Sequence, residues 1–362
     1  MKQPFSFLTL ILPMALVFLL AAGASGNASA TAYAYSYSNI FGLTVSNPTG
    51  SIAVAGNTDI SRSTATLNGS SVIRGGNGFV DAPQSGLGAV TKGQNDFSQQ
   101  GQGGASYSRG DAQIISSQIP PFPAGATSTH AVNAAEAFLF DTGNADASGR
   151  NGSNTGLRVN LVVGAPGATI LFNFQAAPFM QVYLDALAGA GSSSSANMSV
   201  SFTITNAQGL TVFNWSPDGA VGSGISGGTE FADAADLNLS HSSNTLTSGN
   251  LLTYDPLACG APAGTGTGSN CGGAYTALSN NLVAGNYTLT LNTVNSADLS
   301  IFPTVQLVSE PGTLALFAMG LAGLCLARRK ATASLSGGVQ VPRPTLRQGP
   351  LPCLWSARRR PK

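Results

Sequence analysis

The sequence predicts a mainly β protein: an antiparallel, jelly-roll-like β-sandwich body with an N-terminal signal peptide and one C-terminal transmembrane helix. Three observations lead to this fold class. The body, residues 31–308, contains many short runs in which apolar and polar side chains alternate. Gly, Pro and Asn separate these runs, and long stretches with the helical period are almost absent. No repeat of about 20–50 residues is visible, which argues against a solenoid or propeller.

The amino end has the composition of a secretory signal peptide. Lys2 supplies a basic residue, Phe5 to Ala22 form an apolar stretch, and Ala28-Ser29-Ala30 carries the small residues of a cleavage site. We therefore expect residues 1–30 to be removed on export through the Sec translocon, with Ala24 as a competing cleavage point. An uncleaved N-terminal anchor is the alternative.

The charge of the body excludes one class of partner. Residues 31–308 contain six basic and fourteen acidic side chains, which gives a net charge of about −8. An acidic body repels phosphate backbones, so we expect no nucleic-acid partner. Only 9% of the chain is charged and 43% is hydrophobic, which is unlike the composition of disordered proteins. The body could form one sandwich, or two halves that divide near Gly189 to Ser195.

Alternation places the strands of the body. The first is marked by Tyr33, Tyr35 and Tyr37, and a second by Ile52 and Val54. Further predicted strands are the hairpin of Leu157–Val163 and Ile170–Phe174 around Pro166-Gly167, the hairpin of Val200–Ile204 and Leu210–Trp215, and two closing strands, Tyr287–Leu291 and Leu299–Leu307.

Two segments of the body lack a clear strand pattern. Arg74 to Gly110 is rich in Gly and weakly apolar, so it is predicted to be a loop. Thr129 to Phe140 has the best helical composition in the body, although its short length leaves a strand open.

The cysteine pattern predicts one disulfide bond. Cys259 and Cys271 bracket a Gly-rich loop, and pairing is expected in an oxidising compartment. Closing such a loop would contribute roughly 3 kcal/mol on the chain-entropy model. A metal site there is disfavoured, because no other Cys or His lies close enough in sequence to complete a tetrahedral set.

The acidic segment Asp141 to Asp146 has two competing readings. Asp141-Thr142-Gly143 resembles half of an aspartic-protease site, but a second such triplet is missing, so we expect a turn at a strand end. Its Asp and Asn oxygens leave a surface calcium site open, although Gly143 and Ala145 occupy positions where an EF-hand needs ligands. We expect no other cofactor.

A short apolar segment with basic residues behind it lies near the carboxyl end. Ser309, Glu310 and Pro311 interrupt regular structure. Thr313 to Ala327 is uncharged, and as a helix it spans about 22 Å, less than the roughly 30 Å of a bilayer core. Arg328, Arg329 and Lys330 follow at once and would hold that end on the cytoplasmic side, so we expect a transmembrane helix over residues 313–327.

Residues 309–330 resemble the C-terminal sorting signal of the PEP-CTERM family of exported bacterial proteins. Glu310 and Pro311 match the family's Pro-Glu-Pro core, and Ser309 replaces its first proline. The resemblance implies handling by an exosortase, a membrane protease or transpeptidase that acts near this core. It also implies a link to exopolysaccharide and the extracellular matrix, but says nothing of the body.

Residues 331–362 follow the basic cluster and are rich in Pro and Arg, without an acidic residue. This composition predicts disorder, and the positive charge favours the cytoplasmic side. An altered reading frame or a lost stop codon is the other explanation, and we assign the segment no activity.

These features together predict an exported protein, anchored in the inner membrane before processing and then located at the cell surface or in the matrix. We expect a structural or adhesive role in a biofilm, without catalysis. One alternative is a carbohydrate-binding module, which would expose Tyr33 to Tyr37 or Trp215. A second is a secreted hydrolase, with a cleft in which Glu136, Asp141 or Glu230 faces a titratable partner such as His130 or His241.

Overall fold

A computed structural model describes residues 29–58, 60–77, 82–88, 97–116, 129–152, 158–262 and 271–304. Within these ranges the regular structure is β-strand, and every strand pairing is antiparallel. No helix in this part of the chain has the length and apolar character to cross a membrane. The mainly β, antiparallel prediction is confirmed.

The strands are β1 (Ala32–Thr49), β2 (Ile52–Thr58), β3 (Ile60–Leu67), β4 (Ser70–Asn77), β5 (Ala82–Gly88), β6 (Tyr107–Ser116), β7 (Thr129–Leu139), β8 (Gly143–Gly152), β9 (Arg158–Val163), β10 (Thr169–Leu184), β11 (Ser193–Asn206), β12 (Thr211–Trp215), β13 (Ile225–Ser226), β14 (Gly228–Asp233), β15 (Ser240–Asn244), β16 (Leu252–Tyr254), β17 (Gly273–Ser279) and β18 (Gly285–Ile301).

The strands form two sheets. The first sheet has the order β14-β17-β10-β1-β7-β6-β5, with β16 also paired to β10. The second has the order β13-β12-β11-β18-β8-β3-β4, with β15 on β11 and with β9 between β18 and β2. Both sheets take strands from before and after Gly189 to Ser195, and this tract leads from β10 in the first sheet to β11 in the second.

The inner faces of the two sheets pack against each other through aromatic rings. Phe172 on β10 lies 5.4 Å from Phe202 on β11 and 5.2 Å from Phe213 on β12, measured between ring centroids. Phe174 on β10 lies 5.5 Å from Trp215. All of these rings are buried. Burial of these large apolar rings stabilises the contact between the two sheets.

The segment Thr129 to Phe140 is a strand, although its composition is the most helical of the body. Ala135 on one face of β7 joins the main core, and Phe138 on the other face packs against Tyr107 at 6.0 Å. Because both faces are buried, the alternation of polar and apolar residues disappears. Pairing with β1 and β6 then overrides the helical propensity of the alanines.

The predicted hairpin of Leu157–Val163 and Ile170–Phe174 is wrong. β9 belongs to the second sheet, where it pairs with β2 and β18, whereas β10 pairs with β1 and β17 in the first. Alternation identifies a strand and its buried face, but two strands that face each other across a core show the same pattern as two strands in a hairpin. The turn at Pro166-Gly167 therefore leads from one sheet to the other.

The predicted strand Tyr287–Leu291 and the start of the one predicted over Leu299–Leu307 belong to one strand of 17 residues, β18, which ends at Ile301. Residues 305–307 of the second prediction lie outside the described residues. The pattern was missed because the inward positions in its middle are polar. Asn295 accepts a hydrogen bond from the hydroxyl of Ser38 at 2.6 Å, and Asn133 donates to Thr293 at 2.7 Å. These partners allow the polar side chains to be buried.

The loop predicted over Arg74 to Gly110 also contains strands. β5 lies within it, and it includes the end of β4 and the start of β6. Its described irregular part is residues 97–106, which we call the strap.

Candidate functional site

The predicted sorting residues lie outside the described residues. This holds for Ser309, Glu310 and Pro311, for the helix expected over 313–327, and for Arg328, Arg329 and Lys330. It also holds for the extension at 331–362 and for residues 1–28 of the predicted signal peptide.

The aromatic row at the start of the body is buried. Tyr33, Tyr35 and Tyr37 point away from the main core, yet they are at most 4% exposed. The strap contacts Tyr33 and Tyr35, and the ring of Tyr37 stacks on that of Tyr35. Trp215 is also buried, in the main core. The alternative in which these aromatics form an exposed sugar-stacking platform is therefore not supported. Burial raises the pKa of Tyr35 well above its usual value.

The strap is tied to the outer face of the first sheet. The Tyr35 hydroxyl donates to the Phe97 carbonyl at 2.7 Å, and the Tyr107 hydroxyl donates to the Gly101 carbonyl at 2.6 Å. Phe97 itself is fully buried among the tyrosines. The strap therefore acts as a third layer over part of this sheet.

A buried ionic network lies beneath the strap. Arg109 Nε donates to Glu136 Oε2 at 2.7 Å, and Arg109 Nη1 lies 3.2 Å from Asp111 Oδ2. Glu136 Oε1 also accepts hydrogen bonds from the Tyr33 hydroxyl and from the Gly101 N–H, each at 2.7 Å. Burial by itself would lower the pKa of Arg109, but the charge of Glu136, with that of Asp111, raises it above the usual value. Glu136 therefore holds the strap in place and does not lie in an open cleft.

The disulfide loop, residues 259–271, is hydrogen-bonded to the strap. Cys259 and Cys271 are joined by a bond of 2.02 Å. Asp255 accepts the Cys259 N–H at 2.9 Å, and the Pro262 carbonyl accepts the Gln99 N–H at 3.1 Å. This last bond connects the disulfide loop directly to the strap.

Glu230, another acid considered for catalysis, is buried and hydrogen-bonded. Its Oε1 accepts the Trp215 Nε1–H at 2.5 Å, and its Oε2 accepts the Gly222 N–H at 2.7 Å. Nearby Asp233 accepts two backbone N–H groups at 2.8 Å. Burial raises the pKa of Asp233 to about 6, although these two hydrogen bonds act in the opposite direction. Both carboxylates fasten the loop 216–224 to the body.

The histidines make contacts that do not form a catalytic pair. His130 Nε2 lies 2.7 Å from Asn39 Oδ1, and the ring of His241 packs edge-on against Tyr254 with centroids 5.7 Å apart. Neither of these contacts supplies a carboxylate or a serine hydroxyl to the imidazole.

The acidic segment at residues 141–146 is divided between two places. Asp141 Oδ1 accepts the Thr142 N–H at 2.7 Å in the turn after β7, while Asp146 lies on β8. No group of three or more His, Cys, Asp or Glu side chains in the described ranges is arranged to hold a metal ion. The calcium alternative therefore gains no support from a cluster of carboxylates in this part of the chain.

The outer surface of the second sheet is dominated by hydroxyl and amide side chains. We call it the polar face and define it by the outward positions of β3, β8, β11 and β18. Every outward residue of β11 is Ser, Thr or Asn, and most of those on β18 are as well. β11 and β18 pair over fourteen residues without a register shift, so these side chains form regular rows.

Cross-strand hydrogen bonds order these rows. Asn197 donates to Ser296 at 3.1 Å, and Ser300 donates to Asn144 at 2.9 Å. One bond links the hydroxyls of Thr64 and Ser148 at 2.7 Å. The spacing between strands is about 4.8 Å, so the polar face presents closely spaced donors and acceptors on a backbone that is already ordered.

Two carboxylates interrupt the polar face. Asp298 on β18 is directly opposite Asp146 on β8, and they border a shallow groove of about 210 Å³ that Thr66 and Asn144 also line. Burial, a hydrogen bond to Asp146 and the charge of Asp146 raise the pKa of Asp298 to about 7. The pair therefore holds one proton between its carboxylates in mildly acidic solution.

We expect Asp298→Asn to stabilise the body at pH 8. Because the pKa of Asp298 is raised on folding, its favourable contribution is complete below pH 4 and is lost as the pH rises to about 7. Asn carries no charge, so the variant should keep that contribution, with a gain of about 1 kcal/mol at pH 8 after allowance for partial solvent exposure. Urea unfolding from pH 4 to pH 8 measures it.

Ser296→Ala is the matched control, since it removes a polar side chain from the same face of β18 but no titrating group. Its stability should stay parallel to that of the parent across the pH range. If the stability of Asp298→Asn also stays parallel to that of the parent across the pH range, the shared proton is contradicted.

Comparison with known proteins identifies one segment of the chain. Residues 307–330 match the model of the PEP-CTERM protein-sorting motif. No curated protein and no solved structure is significantly similar to the chain.

Proposed function

We propose that this exported, exosortase-sorted chain is a non-enzymatic structural protein of the cell surface and extracellular matrix, and that its polar face binds exopolysaccharide. The starting point is the sorting motif at residues 307–330, which indicates export and processing by an exosortase-type membrane enzyme. A Sec-type signal peptide would deliver the β-sandwich body to the outside, and the tail would anchor it in the inner membrane until processing.

The observation that carries this proposal is the polar face. Polysaccharides present hydroxyl groups that both donate and accept hydrogen bonds, and Ser, Thr and Asn side chains do the same. The long unshifted pairing of β11 with β18 fixes these groups in rows before any ligand arrives, which limits the entropy lost on binding. Hydroxyl and amide groups outnumber the charged side chains Arg62, Asp146 and Asp298 on this face, which suits neutral sugars.

The contacts of the acidic residues favour a structural role over hydrolysis. Glu136 and Glu230 use their oxygens to hold the strap and the loop 216–224. General acid or base catalysis needs a carboxyl group within reach of substrate, and these two are enclosed by protein.

Alanine at three positions of the polar face should weaken binding to the host exopolysaccharide. The residues are Asn197, Ser201 and Asn292, which lie on adjoining strands. Loss of several hydrogen bonds of about 1 kcal/mol each predicts a decrease in affinity of about tenfold or more. Affinity electrophoresis in gels that contain the polysaccharide measures the change.

The control replaces Ser223, Thr229 and Thr245, which are exposed polar residues away from this face, with alanine. It should bind like the parent. Equal binding by both triple variants and the parent would reject the polar face as the binding surface.

Glu310→Ala should leave the tail uncut. The motif's central acid would no longer be available to the sorting enzyme, so full-length chain should accumulate in the inner membrane and little should reach the surface. Mass spectrometry of intact protein from membrane and surface fractions of the native host measures both termini. Ser309→Pro, which restores the Pro-Glu-Pro core, should be processed at least as well as the parent. Normal processing of Glu310→Ala would contradict the role of residues 309–311.

A further inference from the structure

The end of the body from which both of its chain termini depart carries a concentration of exposed apolar side chains. Eleven large hydrophobic residues are exposed in the described part of the chain, and five of them lie at this end. We call these five the apolar end: Phe140, Leu187, Leu246, Leu251 and Phe302. Leu246 is 92% exposed and the others are about half exposed.

Backbone contacts hold these residues together. The Gly189 N–H donates to the Phe302 carbonyl at 3.1 Å, and the Thr304 hydroxyl donates to the Leu187 carbonyl at 3.3 Å. The loop that carries Leu246 is joined to the same region by a bond of 2.6 Å from the Gly249 N–H to the carbonyl at the end of β10.

The first residues of the body meet this end as well. The Asp185 N–H donates to the Thr31 carbonyl at 2.8 Å, and the Ser29 hydroxyl donates to the Phe140 carbonyl. The predicted signal-peptide junction and the last described residue, Thr304, therefore leave the body from the same end.

The chain length after Thr304 restricts how far this end can be from a membrane. The apolar tail segment begins at Thr313, nine residues later. Nine residues reach at most about 30 Å when fully extended. While the tail stays inserted, the apolar end is therefore the part of the body that is kept near the bilayer.

We propose that the apolar end inserts its side chains into the headgroup region of the bilayer that holds the uncut tail. The proposal rests on the membrane anchoring in the proposed function and adds the orientation of the body to it. Exposed Phe and Leu side chains partition favourably into this region. Asp141 and Asp185 lie at the same end, so contact depends on apolar burial and not on attraction to anionic lipids.

This orientation has a consequence for the polar face. β11 and β18 extend, in opposite directions, between the apolar end and the opposite end, where the Asn206 to Leu210 turn lies. The rows of the polar face would then rise away from the membrane and remain open to the matrix before the tail is cut.

Tryptophan quenching tests the proposal on the full chain. The chain is reconstituted in phosphatidylcholine vesicles that contain nitroxide-labelled lipid, and each variant's emission is compared with that of the unsubstituted chain. Leu246→Trp places the reporter at the apolar end. Leu210→Trp is the matched control, since this leucine is 65% exposed and lies about 40 Å away along β11.

The emission of the tryptophan in Leu246→Trp should be quenched about twofold or more and be insensitive to salt, while that in Leu210→Trp should be unaffected. Equal quenching of the two in vesicle-bound protein would overturn the membrane contact and leave the anchoring intact. If the chain does not float with the vesicles in a density gradient, the anchoring of the tail is refuted, and the proposed contact is refuted with it.

Discussion

Replacing Arg109 with methionine should lower the free energy of unfolding by about 3–5 kcal/mol. Arg109 is 2% exposed, and it is paired with the buried carboxylates of Glu136 and Asp111. Without the guanidinium, two carboxylates remain close together in a region that water does not reach, and their desolvation is no longer offset. Urea unfolding of the purified chain, followed by near-ultraviolet circular dichroism, measures the loss.

Arg62→Met is the control for this experiment, because Arg62 is exposed on β3 and should change stability by no more than about 0.5 kcal/mol. Adding Glu136→Gln to Arg109→Met should restore part of the lost stability, since it removes one uncompensated charge. A loss below about 1 kcal/mol in Arg109→Met would mean that the network under the strap is not held by this arginine.

Arg109→Met should also loosen the strap. Glu136 accepts the Gln100 and Gly101 N–H groups, and Arg109 Nη2 donates directly to the Ser98 carbonyl, so the position of both side chains fixes the strap. Hydrogen exchange at residues 97–106 should therefore accelerate in Arg109→Met more than elsewhere in the first sheet.

The sequence was most informative where one face of a strand is buried and the other is wet. Val200, Phe202 and Ile204 alternate with polar residues, and the hairpin predicted from them is confirmed by the pairing of Phe202 with Trp215. The Asn206 side chain accepts the Leu210 N–H at 2.9 Å, which is the turn chemistry expected of asparagine.

The outward positions of β11 carry a second pattern that is visible in the sequence, because all of them are polar. Serine, threonine and asparagine recur at every second residue from Ser193 to Thr205. The register of β11 on β18 was needed to show that these residues continue into a second row. Pairing between distant strands is not encoded in a local pattern.

The tyrosine row shows that alternation can predict the face of a strand without predicting whether that face is exposed. Alternation placed Tyr33, Tyr35 and Tyr37 on one face of a strand, and this is what the structure has. Whether that face is open depends on the strap, whose Gly-rich sequence carries almost no hydrophobic signal apart from Phe97. The strap is held by buried polar groups on β1, β6 and β7, and such long-range contacts cannot be read from spacing.

The sorting signal could be predicted because it works through local chemistry. A break, an apolar segment and a basic end follow one another directly in the sequence, and residues 307–330 match the sorting motif. The body has no such constraint, since a two-sheet core can be built by many sequences and its surface by many more.

Phe172→Ala should be the most damaging single change in the core between the two sheets, with an expected loss of about 3–5 kcal/mol in the free energy of unfolding. Phe172 is fully buried on β10, and its ring contacts the rings of Phe202, Phe213 and Trp215 on the second sheet. Removing it deletes a large apolar side chain and leaves a cavity where the sheets meet. Thermal and urea unfolding measure the change.

Phe231→Ala provides the comparison, because Phe231 is 57% exposed on β14 and its loss should cost less than about 0.5 kcal/mol. Phe172→Leu should fall between the two, since leucine fills part of the cavity. The order of the three variants tests the stacking of the sheets itself: if the inner faces were not in contact, Phe172 and Phe231 would be equivalent. Similar stabilities for both alanine variants would therefore refute the packing on which the position of the polar face depends.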